Sequence, residues 1–252
     1  MPLVRSLKLA CFLCTALLAA ACSGSTNGDV VRVFAAASLT DAFTQIANEF
    51  EAANPGIEVE LNLAGSSALR EQIRSGAPAD VLAVASEEIV ADLVEEGFIQ
   101  DLPITFASNS LLVAVPLENP GAVSGVSDLA NSDLLVGLCA EAVPCGALAV
   151  ETLDAAGISA SVDTNEPDVR ALLTKIELGE LDAGLVYETD VRAAGARVTS
   201  FPIDVPDLPA TNYPLAALAD SGNPDGARAF VEFALSTQSA EVLSTFGFGA
   251  AA

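Results

Sequence analysis

From residue 30 to the end of the chain, short apolar runs alternate with stretches whose apolar residues recur at helical spacing. That alternation confines the chain to an α/β architecture. Residues 30–36 read as a β-rich run. Residues 38–50 follow as an amphipathic helix, with Phe43, Ile46, Ala47 and Phe50 on one face. Strands are then expected at 57–63 and 79–85, with helices at 67–75 and 87–96. The pattern starts again with strands at 111–115 and 134–138 and a helix at 146–156. Another helix is opened by Pro167 and ended by Gly179. Strands at 183–187, 198–201 and 213–218 and helices at 224–236 and 239–246 complete the reading. Two lobes, of residues 29–108 with 212–252 and of residues 109–211, suit a chain of 252 residues. The chain is expected to cross between them near Ser108-Asn109-Ser110 and Thr211-Asn212-Tyr213, a hinge of two crossovers.

The side-chain inventory removes whole classes of function. Without His the chain cannot run a Ser-His-Asp or Cys-His mechanism or make an imidazole-bearing zinc site. With 34 acidic and 10 basic residues it lacks the basic face that nucleic acid or anionic lipid requires. Residues 1–21 read as an export signal: Arg5 and Lys8, then an apolar run from Leu9 too short for a comfortable membrane span. It ends in Ala19-Ala20-Ala21-Cys22, before a polar linker at 22–28. That resembles a bacterial lipoprotein signal whose Cys22 becomes lipidated; an ordinary secretory signal is the alternative. Removing it takes away Arg5 and Lys8 and no acid, so the charge moves from −24 to −26. Cys11 and Cys14 leave with it, and Cys139 and Cys145 remain. In an exported body such a pair favours a disulfide closing a small loop, against two buried free thiols.

Chemistry is expected where strands turn into helices. Small or hydroxylated residues lead into helices at Ala36-Ala37-Ser38-Leu39, Ala64-Gly65-Ser66-Ser67, Val143-Pro144-Cys145-Gly146 and Pro167-Asp168-Val169-Arg170. A helix N-terminus presents unpaired N–H groups and the positive end of its dipole, an anion site that needs no charged side chain. A serine there is, taken singly, more often a plain cap.

These turns, with Gly76-Ala77-Pro78-Ala79-Asp80-Val81, Gly184-Leu185-Val186-Tyr187-Glu188-Thr189-Asp190 and Tyr213-Pro214, resemble the substrate-binding proteins of molybdate ABC transporters, in order and over nearly the whole mature chain. The resemblance implies a two-lobed periplasmic-binding-protein fold of type II, with two mixed sheets flanked by helices. It implies capture of molybdate or tungstate by hydroxyls and backbone N–H groups, with no metal and no cofactor. Carried over, Ser38 and Ser66 supply hydroxyl and N–H, with Gly65 and Ser67 as neighbours in register. Cys145 and Val169 supply backbone N–H groups, and Tyr187 its phenol. The partners implied are a membrane permease and its cytoplasmic ATPase, met by a monomer anchored by lipid to the outer face of the cytoplasmic membrane.

An acceptor-only dianion suits a cage of neutral donors, which escapes the cost of a buried ion pair. Sulfate or thiosulfate is the rival ligand. An extracellular serine hydrolase is a remote alternative, because the one lysine of the mature chain, Lys175, lies within a helix. A ligand-sensing domain of a transcription regulator would need a DNA-binding segment where the export signal is read. Glu188 and Asp190 are expected to start a helix and stay solvated; a core tyrosine with one hydrogen bond is the alternative for Tyr187.

Overall fold

The computed structural model describes residues 30–251. The export signal, Cys11, Cys14, Cys22 and the linker at 22–28 lie outside the described residues. Among the described residues, no helix is long and apolar enough to cross a membrane.

The first strands and helices are β1 (Val30–Ala36), α1 (Thr40–Ala53), β2 (Glu58–Ala64), α2 (Ser66–Arg74), β3 (Val81–Ala83) and α3 (Glu87–Glu95). A long strand, β4 (Ile104–Pro116), leads to β5 (Val136–Cys139), α4 (Pro144–Ala156), β6 (Val162–Glu166) and α5 (Val169–Glu177). Then come β7 (Ala183–Tyr187), α6 (Glu188–Ala194), β8 (Val198–Phe201), β9 (Ala210–Ala217), α7 (Pro224–Ala234) and α8 (Thr237–Thr245). The strand order is β2-β1-β3-β9-β4-β7-β5-β6, with β8 also on β4.

β4 joins the two expected mixed sheets. Its first half pairs antiparallel with β9, with Ser108 opposite Asn212 and Asn109 opposite Thr211. Its second half pairs antiparallel with β7 and β8. One buried apolar cluster, including Phe43, Phe50 and Phe230, lies on the β1 side of this crossing. A smaller one under α2 and α3, including Leu69 and Leu93, adjoins it. Another, including Leu111, Leu172 and Leu185, lies on the β5 side. In the first cluster Phe50 meets Phe230 edge-on, ring centroids 5.2 Å apart. Each such ring contributes about 2 kcal/mol or more by leaving water.

Some departures from the periodicity have local causes. β3 is shorter than 79–85, because the Ala85 N–H leaves the ladder and donates to Ser66 Oγ at 3.1 Å. Asp80, before β3, is buried as a structural anchor. It accepts the Arg32 N–H at 2.7 Å and the Ser221 hydroxyl at 2.6 Å. β6 was not expected at all. Its Val-Asp-Thr-Asn-Glu run is mostly polar and ends the strand order, so it carries no apolar alternation.

Candidate ligand site at the strand ends

The cavity lies at the carboxyl ends of β1, β2, β5, β6 and β7, where ligand crevices form in α/β sheets. Ala36, Ala37 and Ser38 line it after β1, Gly65 and Ser66 after β2, and Ala85 after β3. From the other side of the β4–β9 crossing come Val143, Pro144 and Cys145, then Pro167, Asp168 and Val169, and finally Tyr187. The empty space between these walls, open solvent at the mouth included, is about 260 Å³.

Ser38, Gly65, Ser66, Cys145, Val169 and Tyr187 therefore share one wall-to-wall site. Ser67 does not line it. Its hydroxyl donates instead to the Ala142 carbonyl at 3.0 Å, bridging α2 to the loop before α4.

Three of the four helix starts facing this space are bare. The 3-10 turn Ala37–Leu39 and helices α2 and α4 begin without any side-chain cap. α5 is capped by Asp168, whose Oδ1 accepts the N–H groups of Arg170 and Ala171, each at 2.9 Å, and leaves Val169 out. Such ends concentrate N–H donors and positive potential on the cavity.

The hydroxyls are oriented as well. Ser66 Oγ accepts the Ala85 N–H, so its own hydrogen is free for the cavity. Ser38 Oγ lies 2.8 Å from Tyr213 Oη. Tyr187 is 2 % exposed, and its hydroxyl has no partner among the described residues. A buried hydroxyl left unpaired costs about 1–3 kcal/mol, so this one points to a missing acceptor. Burial holds the Tyr187 phenol well above its ordinary pKa, keeping it a donor.

No Lys or Arg is among the lining residues, and Asp168 is the one ionisable carboxylate there. Among the described residues, no group of His, Cys, Asp or Glu could hold a metal ion. Lys175, the base a serine hydrolase would need, is paired with Glu166 at 2.6 Å.

Cys139 and Cys145 form a disulfide, closing a loop at the end of β5 that presents Cys145 at the start of α4. A Cβ on the next residue, Gly146, would lie 1.9 Å from the Ala140 carbonyl oxygen, so only glycine lets the loop fold onto the helix.

Asp190 corrects its expectation. It does start α6, but it is fully buried, with Arg170 Nε 2.7 Å from its Oδ1. Burial outweighs the guanidinium and pushes its pKa up to about 7. The sequence reading gave Arg170, Asp190, Asn109 and the Tyr213 hydroxyl, which meets Ser38, no role in the site. Arg170, Asp190 and Tyr213 sit inside the quoted motifs, but their pairing across the fold has no local signature.

The family model of bacterial extracellular solute-binding proteins matches residues 31–249. The molybdate-binding protein ModA of Mycobacterium tuberculosis is 35% identical over 227 residues, covering 90% of this chain and 87% of that one. The periplasmic molybdate-binding protein of Azotobacter vinelandii superposes with a TM-score of 0.74 at 19% identity, over 86% of this chain and 98% of that one. The sulfate-binding protein SubI of Mycobacterium tuberculosis gives the same TM-score and identity over 87% and 86%. At that identity the two structures speak for the fold alone. The match across almost every described residue, with that of the ModA relative, shows that the chain belongs to the bacterial extracellular solute-binding proteins.

Proposed function

We propose that the protein captures molybdate, and tungstate with it, outside the cytoplasm and hands it to an ABC importer, a permease driven by a cytoplasmic ATPase. The observation that carries this reading is the buried Tyr187 hydroxyl, unpartnered among the described residues and facing a small cavity whose donors are all neutral. Tyr187, Ser38 and Ser66 donate hydroxyls; the amides of Ser38, Ser66 and Cys145 donate from bare helix starts, and that of Val169 from the α5 start, where the Asp168 cap leaves it unused. Gly65 brings the two walls close: a Cβ there would meet Asp168 Cβ and the Pro167 carbonyl oxygen, each at 3.1 Å. Kinship with ModA supports molybdate over sulfate.

Residues 29–108 with 212–252 form one lobe and 109–211 the other, and they close about the β4–β9 crossing. The protein makes and breaks no covalent bond and uses no cofactor. A Cys22 lipid anchor holds a monomer at the outer face of the membrane. Its acidity opposes a dianion at long range, and salt screens that repulsion over about 8–10 Å, leaving the local N–H dipoles to decide.

Calorimetric titration of the purified protein with molybdate, tungstate and sulfate tests the reading. It predicts one site per chain, with molybdate and tungstate bound at least about a hundredfold tighter than sulfate, a difference of about 2.7 kcal/mol. Equal or tighter binding of sulfate would assign the site to the rival anion.

A further inference from the structure

We infer that Tyr213, with Asn109 behind it, fixes the direction of the Ser38 hydroxyl and so commits Ser38 as a donor to the bound anion. The inference rests on the oxyanion reading of the site given above.

Asn109 on β4 and Tyr213 on β9 lie where the two strands cross, and both are buried. The Ser110 N–H donates to Asn109 Oδ1 at 3.1 Å. A backbone N–H can only donate, so this contact fixes which end of the carboxamide is oxygen. Nδ2 then faces the opposite way. It donates to Thr189 Oγ1 at 2.9 Å and to Tyr213 Oη at 3.4 Å.

Of the two partners of Tyr213 Oη among the described residues, Asn109 Nδ2 can only donate, so Ser38 Oγ, 2.8 Å away, is the one able to take the phenol hydrogen, and in the proposed relay it does. Ser38 accepts that bond and has one hydrogen left, which turns to the cavity it lines. Burial raises the Tyr213 phenol above its ordinary range, so the hydrogen stays in place at neutral pH. The relay begins beside Thr189 on α6, passes through both crossing strands and ends beside α1. While the relay holds, an anion bearing its own O–H meets the Ser38 hydrogen rather than a Ser38 lone pair. Tyr213 is a positioning residue: it acts through Ser38.

The test is a double-mutant cycle on the full chain, read by calorimetry with molybdate. Tyr213→Phe should lower affinity about tenfold, the scale of one neutral hydrogen bond, and Ser38→Ala should lower it as well. In the Ser38→Ala background, Tyr213→Phe should cost less than about twofold, because the hydroxyl it directs is gone. Asn109→Leu, which removes the first donor and keeps the phenol, should act in the same direction and also vanish without Ser38. Displacement of molybdate at pH 8 adds a second readout. Tyr213→Phe should raise the competing strength of hydrogenphosphate relative to sulfate, which has no O–H. A tenfold loss in both backgrounds, with that ratio unchanged, would overturn the inference and leave Tyr213 as packing against Phe106 and Phe248. Absence of molybdate binding by the unaltered chain would instead overturn the oxyanion reading itself.

Discussion

Arg170 on α5 reaches Asp41 on α1, Nη2 to Oδ2 at 2.6 Å, so an ion pair ties the two sides of the cavity together outside its wall. The same guanidinium lies against buried Asp190. Asp41→Ala removes the tie and leaves the ligand shell intact. Because the pair is partly exposed, stability should change by less than about 1 kcal/mol. Molybdate should leave several times faster at an almost unchanged association rate, measured by stopped-flow displacement. Unaltered release would mean that this tie does not hold the closed form.

Tyr187→Phe and Ser66→Ala separate binding from folding. Each should weaken molybdate by about 1–3 kcal/mol, the scale of a hydrogen bond to a charged group. Tyr187→Phe removes a hydroxyl that has no partner among the described residues, so the empty form should melt at the same temperature or higher. Ser66→Ala strips the Ala85 N–H of its acceptor and should lower the melting temperature too. Calorimetry and thermal melts on the two variants check both halves.

Asp190 gives a pH signature. Its pKa in the folded chain is pushed up to about 7 by burial, well above the unfolded value. Between roughly pH 4 and 7 the unfolded chain gives up this proton first, so this group's contribution is full at low pH and is lost as pH rises through about 7. Asp190→Asn should flatten that fall. The wild-type urea midpoint should drop relative to the variant between pH 5 and 8, by about 2 kcal/mol in unfolding free energy. Parallel pH profiles would contradict the burial argument.

The disulfide closes a loop with a separation of six residues, for which loop entropy gives about 2 kcal/mol of stabilisation. Replacing Cys139 and Cys145 together by Ser should cost about that much in urea unfolding. It should weaken molybdate less than Tyr187→Phe does, since the Cys145 contact is a backbone N–H.

Gly65→Ala tests the close approach of the walls. A methyl there has 3.1 Å to Asp168 Cβ and to the Pro167 carbonyl oxygen, tight enough to push the cavity open. Affinity should fall while the melting temperature of the empty form holds. An affinity equal to wild type would show that closure tolerates the added group.

Where one face of an element is apolar, the sequence was sufficient: α1, with Phe43, Ile46 and Phe50 inward, and β7, buried throughout, read directly from spacing. β6 did not, because a polar edge strand has no period to show. The first half of β4 was also missed, since Ser108, Asn109 and Ser110 look like a loop and pair as a strand only through β9. The site was legible as helix starts bearing small and hydroxylated residues. Its tuning was not. Asp190 looked solvated, yet tertiary packing buries it beside Arg170, and the path from Asn109 through Tyr213 to Ser38 joins residues far apart in the chain.

A crystal structure grown with molybdate, phased on the anomalous signal of molybdenum, tests the central claim most directly. The account predicts one peak between Tyr187 and the start of α2, with Tyr187, Ser38 and Ser66 hydroxyls and the Cys145 and Val169 amides in hydrogen-bond reach and no arginine or lysine touching it. A peak elsewhere, or one held by a guanidinium, would contradict it.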